Sequence, residues 1–599
     1  MLNGVPARGH LTPDLFNGLT PLAWQLDDAR LQDEVRTFVD YVVSSQREDG
    51  RFGPPQVEEE PYRSVVDLGR SKALEALIAY HDVTGDERVI ELVRRYFVGH
   101  LATFREHDQP GWLNNTVLQE NLVAGIWLYE RTHDSSLRDV LLDMCHLDES
   151  QSRWPDAIRE GTVAVNHGYA IAHGLKYAAL RYLLEGDEAD LAGTEAILEA
   201  LDTEYGQIGG RYAAHECLPP EDGRAPTHGT ELCDVVEHMY SLEKIFEVSG
   251  RASLGDRLEE LAFNALPGAV TGDFWAHQYD QQANQVLVSR AKREFDNGPE
   301  ANLYGLMPNY VCCTANMHHG WPRFVQHMWM ATHDGGVVAF AYGPSEVTFG
   351  TGDGVEVTLR EDTEYPFDGA ITFTIEASAS ARFPILLRIP GWTDSDLGLS
   401  ATVRVRGKVR QAESGTFVRL EETWEPGEVI SLSFPIHGVT PEIRSDSSVA
   451  LRRGPLYLAL RVESEYVELA HYALGARDWE IRPTSPWNVT PMVHPGHPHG
   501  HVEVTDTRNP LTRLPFAARG EPIYDPITGG WAPWPHSEPV VLTMPARLVR
   551  NWRMHPVWPI AGRIPVRPEL DEREVQIELV PYGSTRLRVA EFPRIDRVC

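Results

Sequence analysis

Tyr80-His81-Asp82-Val83-Thr84-Gly85-Asp86 is the stretch from which the architecture can be read. An aromatic is followed by a polar turn, then by a glycine and an acid, as where one helix stops and the next begins. The ending recurs: Tyr129 leads to His133-Asp134, Tyr182 to Gly186-Asp187 and Phe246 to Gly250. The aromatics are 49, 53 and 64 residues apart, room for one helical hairpin each. Leu74, Leu77 and Ile78 fall on one face of a helix starting near Ser64, and Ile171, Leu175, Ala179 and Tyr182 repeat that spacing. Residues 1–335 therefore read as an array of paired helices. Five or six hairpins could close into an (α/α)6 barrel, a helical toroid around a central pocket; an open solenoid satisfies the same periodicity. The polar, irregular run from Leu266 to Ala315 is too polar for a core hairpin and is expected to carry loop residues to a site.

Near Gly335 the period changes to two. Val355-x-Val357-x-Leu359, Ile371-x-Phe373-x-Ile375, Ile430-x-Leu432-x-Phe434 and Val575-x-Ile577-x-Leu579 alternate between Gly, Pro and Asp turns. The expected organisation is a helical domain over 1–335, a β-sandwich over 336–465, and a second β-sandwich region with long loops over 466–599. The fold class is thus multidomain α+β.

The chain has 599 residues, enough for roughly two to four domains, and a formal net charge of −33. That charge argues against nucleic acid or an anionic membrane as partner and leaves neutral substrates open. No apolar run is long enough to span a bilayer, and Met1–His10 has no basic head before an apolar stretch, so a cytoplasmic location is expected. Glu58-Glu59-Glu60 reads as a solvated loop.

Six cysteines in so long a chain (145, 217, 233, 312, 313 and 599) do not make a disulfide framework. Adjacent Cys312 and Cys313, in Asn309-Tyr310-Val311-Cys312-Cys313-Thr314-Ala315-Asn316, are poor disulfide partners for each other and suggest a metal or a reactive sulfur. Upstream, Glu231-Leu232-Cys233 supplies a carboxylate and a third thiol, and His215-Glu216-Cys217 a further acid. Three thiolates and a carboxylate are a ligand set zinc accepts, with the spare acid as a proton donor. Taken singly, each cysteine reads more readily as a small buried hydrophobe; the constellation is what raises a metal role. His494-Pro495-Gly496-His497-Pro498-His499-Gly500-His501 could invite a metal, but its prolines hold no common face, so an exposed turn is the reading. Tandem His318-His319 cannot share one helical face.

Glu231-x-Cys233 followed by Cys312-Cys313-x-x-Asn316, with Glu216 upstream, resembles glycoside hydrolase family 127, which contains β-L-arabinofuranosidases. Leu387-Arg388-Ile389-Pro390-Gly391-Trp392 and Arg453-Gly454-Pro455 are similar to phrases of the same family. The resemblance implies an (α/α)6 barrel with β-sandwiches and Zn2+ held by Glu231, Cys233, Cys312 and Cys313. It implies Cys312 as nucleophile, Glu216 as general acid/base, and substrate contacts at His167, Glu259 and Tyr279. A retaining, exo-acting hydrolysis of a furanoside such as a β-L-arabinofuranoside is then expected. Thr314-Ala315 stands where members commonly have two prolines, and Glu216 lies one residue nearer Glu231 than is usual, which marks a divergent branch.

Two readings from other classes stand beside this one: a non-catalytic carbohydrate-binding or scaffolding protein with a structural zinc, and a polysaccharide lyase. The acidic charge suits anionic uronate substrates poorly. The expected partner is a small glycoside or oligosaccharide; a homodimer is compatible with the sequence, which fixes no oligomeric state.

Overall fold

The structure, a computed structural model, describes residues 11–54, 63–100, 112–146, 154–163, 166–393, 400–436, 438–493 and 504–595. The acidic run at 58–60 and the histidine-rich segment 494–501 lie outside the described residues. The chain forms two compact units: Met1–Glu204 with Val236–Gly250 and Val311–Gln326, and Tyr205–Val235 with Arg251–Tyr310 and His327–Cys599.

The helix endings take the form the sequence predicts. Gly85, His133, Gly186 and Gly250 all adopt left-handed backbone, with φ of 68°, 51°, 74° and 64°. Their N–H groups donate to His81, Tyr129, Tyr182 and Phe246 carbonyls at 2.7–2.8 Å, closing the helices that end at Thr84, Thr132, Glu185 and Ser249. After three of these turns an aspartate opens the next helix. Asp86, Asp134 and Asp187 accept from the N–H groups of Arg88, Ser136 and Ala189.

In the first unit, helix Leu11–Gln25 packs on Ala29–Ser44 and Arg63–Thr84. Arg63–Thr84 packs on Arg88–His100 and Trp112–Thr132, and the latter on Ser135–His146 and Tyr177–Glu185. Apolar residues between the helices form one core, including Val35, Val39, Leu74, Leu77, Val93, Phe97, Leu122, Leu141 and Leu184. The first helix also meets the last: Gln25 Nε2 donates to the Pro322 carbonyl at 2.7 Å. Gly18 lies so close to the His318 backbone that any β-carbon would collide with the His318 carbonyl. That contact joins the ends of the array, as a closed ring requires and an open solenoid does not.

The helices of this unit also share a buried charge network. Lys72 pairs with Glu120 and, at 3.0 Å, with Glu237. His173 bridges the same carboxylates, at 2.9 Å to Glu120 and 3.0 Å to Glu237. All four side chains are 0–1% exposed. Glu75 accepts from Asn17 at 3.2 Å and pairs with Arg323. Burial opposes ionisation of Glu120 and Glu237, but Lys72 and His173 outweigh it and hold both below the ordinary carboxylate range.

The second unit carries the sheets. Six strands run in the order Lys408–Ala412, Ala401–Val405, Val429–Ser433, Ala370–Ala377, Glu356–Thr363 and Ser345–Gly350. Four more, Phe417–Trp424, Ala381–Arg388, Val337–Ala339 and Trp329–Ala331, form a facing sheet. Phe349–Phe383 and Trp329–Phe373 ring contacts at 5.3 and 5.7 Å join the two layers. An eight-stranded sheet follows. In it Ser448–Arg453 pairs with Thr440–Ile443, Leu456–Leu460 and Glu591–Pro593, and Leu456–Leu460 with Leu570–Pro581, which carries the sheet across the boundary expected at residue 465. The expected loops after 466 contain the hairpin Ser464–His471/Arg477–Pro483 and the hairpin Pro522–Asp525/Gly530–Pro533. No helix among the described residues is long and apolar enough to cross a membrane.

Lys72→Met leaves Glu120 and Glu237 buried with their main counter-charge removed. The variant is expected to lose about 3–5 kcal/mol of unfolding free energy, read from denaturant titration.

Candidate active site and metal centre

Glu231, Cys233, Cys312 and Cys313 are brought together: one donor atom from each lies within 4.8 Å of all the others. Glu231 ends the short strand Thr230–Glu231, which pairs antiparallel with Asp280–Gln281 in the register Glu231 to Asp280. Cys233 is in the first turn of helix Leu232–Ser249, and Cys312 and Cys313 open helix Cys312–His327. Thiols at helix N-termini face unsatisfied N–H groups and the positive end of the helix dipole, which favours thiolates. Sulfur donors dominate this set, and with one carboxylate they fit a thiophilic divalent ion rather than calcium or magnesium. Cys233 and Cys313 are 0% exposed, whereas Cys312 is half-buried, so it is the pair's reachable sulfur.

Glu216 stands on a strained turn. The His215 N–H donates to the Cys217 carbonyl at 3.2 Å, so the chain doubles back across Glu216, whose φ is +93°. A non-glycine residue there costs about 1–3 kcal/mol and persists only where its surroundings impose it. Tyr279 Oη donates to Glu216 Oε2 at 2.8 Å. His215 stacks on Phe295 with centroids 5.2 Å apart, and its Nδ1 accepts from the Asp296 N–H at 3.2 Å. Burial lowers the His215 pKa, consistent with a neutral ring that accepts at Nδ1.

Much of the irregular segment after Leu266 is buried. Gln278, Asp280, Gln282, Gln285 and Asn302 are at most 1% exposed. Carboxamides replace the missing ladder. Gln278 and Gln285 exchange hydrogen bonds at 3.1 Å, and Asn302 Nδ2 donates to the Asp280 carbonyl at 3.0 Å and to Gln285 Oε1 at 3.0 Å. Sequence reasoning passed over these residues because each carboxamide is individually unremarkable; their density within one uncapped stretch was the available signal.

The other expected substrate contacts divide. His167 is half-buried and caps the helix Gly168–Gly174, accepting from the Ala170 N–H at 3.4 Å. Glu259 has partners from the β-sheet region. It is 0% exposed and accepts from the Tyr342 N–H at 3.1 Å and Tyr365 Oη at 2.5 Å, and it pairs with Arg388 at 2.5 Å. Arg388 belongs to the Leu387–Trp392 phrase. Neighbouring Glu260 pairs with Arg452 at 2.6 Å, and Asn264 bonds the Pro455 carbonyl at 3.0 Å and the Tyr457 N–H at 2.8 Å. The run from Glu259 to Asn264 is therefore an anchor for the β-sheets, with the Glu259 carboxylate engaged by Tyr342, Tyr365 and Arg388. Of tandem His318-His319, His319 is buried and meets Asn316 Oδ1 at 3.2 Å, while His318 is exposed.

A helical toroid with β-sandwiches and a sulfur-rich donor cluster is an arrangement shared with a known class of glycoside hydrolases. Residues 2–326 match the model for the β-L-arabinofuranosidase GH127 catalytic domain, and residues 336–436 the GH127 middle domain. The chain belongs to glycoside hydrolase family 127. It is 21% identical, over 75% of each chain, to the non-reducing end beta-L-arabinofuranosidase of Bifidobacterium longum. Its fold is similar to that of a solved glycoside hydrolase (TM-score 0.70, 18% identity, 98% of this chain and 92% of that one). A GH127 beta-L-arabinofuranosidase from Geobacillus stearothermophilus also superposes (TM-score 0.66, 17% identity, 97% and 89%). Family membership sets aside the scaffolding and lyase readings.

Glu259→Leu strands Arg388 beside a reduced set of partners and is expected to cost about 3–5 kcal/mol of stability with KM unchanged. A raised KM at unchanged stability would return Glu259 to the substrate.

Proposed function

We propose that the protein is a retaining, exo-acting β-L-arabinofuranosidase in which Cys312 is the nucleophile and Glu216 the general acid/base. The observation that carries this reading is the convergence of Glu231, Cys233, Cys312 and Cys313, with Cys312 the most accessible of the three sulfurs. Relatives named as β-L-arabinofuranosidases supply the sugar. Zn2+ held by these four residues would keep the sulfurs as thiolates, since coordination displaces the thiol proton.

Cys312 Sγ attacks the anomeric carbon as the glycosidic C–O bond breaks, and protonated Glu216 gives its proton to the departing oxygen. An S-glycosyl enzyme results. Glu216, now a carboxylate, takes a proton from water as that water displaces sulfur from the anomeric carbon. Two inversions give net retention, and both residues return to their starting states. Tyr279, hydrogen-bonded to Glu216, orients the carboxyl, and His167 is retained as a sugar contact.

Elemental analysis is expected to find about one zinc per chain. Cys312→Ser is expected to lower kcat by about 10³-fold or more, because a neutral hydroxyl replaces a thiolate. Mass spectrometry after a slow or epoxide-type furanoside should place the sugar on Cys312; an adduct on Cys313, or an inverted product anomer, would overturn the assignment.

Glu216→Gln is expected to lower kcat/KM by about 10²–10⁴-fold on an alkyl β-L-arabinofuranoside and far less on a nitrophenyl one, whose leaving group needs no proton. Equal loss on both would make Glu216 structural.

A further inference from the structure

We infer that Asn297 is a positioning residue for the acid/base, an inference that rests on the reading of Glu216 given above. Its side chain is 3% exposed and sits where three segments meet. Asn297 Nδ2 donates to the His215 carbonyl at 2.9 Å and to Asp280 Oδ2 at 2.9 Å, and Oδ1 accepts from Asn309 Nδ2 at 2.8 Å. The flip of the carboxamide is fixed by chemistry: the His215 carbonyl can only accept. Asn309 is oriented in the same way, because its Oδ1 accepts from the Gly298 N–H at 3.1 Å, and an N–H can only donate.

The three segments are those the mechanism uses. The His215 carbonyl forms the peptide that enters Glu216, so the bond from Asn297 acts directly on the strained turn. Asp280 follows Tyr279, the partner of Glu216, and is the residue opposite Glu231 in the short ladder. Asn309 lies three residues before Cys312, itself in a left-handed conformation with φ of +63°. Phe295 and Asp296 grip the His215 ring from the same side of the chain. Losing the bond to the His215 carbonyl removes a donor that holds the peptide plane, and with it the direction in which the Glu216 carboxyl leaves the backbone. A misplacement of about 1 Å costs up to about 10²-fold in rate.

The test compares Asn297→Ala and Asn309→Ala with Glu216→Gln on methyl and p-nitrophenyl β-L-arabinofuranosides. Thermal midpoints and metal content are recorded so that activity is expressed per folded, metal-bearing chain. Asn297→Ala is expected to lower kcat/KM by about 10- to 100-fold on the methyl glycoside and by less than about threefold on the nitrophenyl one. Asn309→Ala should shift the ratio in the same direction by a smaller factor, and it decides the matter if Asn297→Ala does not fold. If Glu216→Gln separates the two substrates and neither asparagine variant does, the positioning role is overturned and the role of Glu216 stands. If Glu216→Gln fails to separate them, both fall together.

Discussion

The charge network of Lys72, Glu120, His173 and Glu237, with Glu75 and Arg323 beside it, is the constraint on which the helical unit depends. Charges this deep are costly to desolvate, and their mutual attraction offsets the cost only when every partner is in place. The network adds little net stability; what it fixes is register. Sliding one helix by a residue would turn a side chain by about 100° and shift it by about 1.5 Å, leaving a buried charge alone. Asn17, Lys72, Glu120, His173, Glu237 and Arg323 come from six different helices, so the penalty couples them all.

That register reaches the donor cluster through the chain itself. Glu237 lies four residues after Cys233 on helix Leu232–Ser249, about one turn, and Arg323 lies eleven after Cys312 on helix Cys312–His327, about three turns. The two helices that present the sulfurs are thus the ones pinned by charge. Adjacent side chains on a helix diverge by about 100°, so Cys312 and Cys313 can address one point only because they open their helix, where no preceding turn lies between them.

Much of this was legible in the sequence because it depends on local chemistry. The helix endings at Gly85, His133, Gly186 and Gly250 need a left-handed residue, followed in the first three by an acid, and both are visible in one chain. The donor residues were legible because three thiols and an acid are rare together. What was illegible depends on partners remote in sequence. Glu259 looks like any buried acid until Arg388, 129 residues on, is placed beside it. Ser448–Arg453 follows closely on the earlier strands in sequence, and only its pairing with Leu456–Leu460 and Glu591–Pro593 assigns it to the later sheet. The hairpin Ser464–His471/Arg477–Pro483 was hidden because a register shift between Glu468 and Ala470 interrupts its alternation.

The two halves of the proposed chemistry are held by different physics, and the difference suits the tasks proposed for them. Helices can hold sulfur donors rigidly, and charges can pin those helices at a distance without touching the sulfurs. An acid/base must be oriented without being committed to one protonation state. A lysine or arginine against its carboxyl would favour the carboxylate and remove the acid; a second carboxylate would do the reverse. Tyr279 meets the Glu216 carboxyl through a neutral hydroxyl, and Asn297 and Asn309 are neutral hydrogen-bonding groups behind the turn that carries it. In the buried, polar part of the irregular segment, carboxamides satisfy one another and the bare peptide groups without adding charge of their own beside the proposed acid/base.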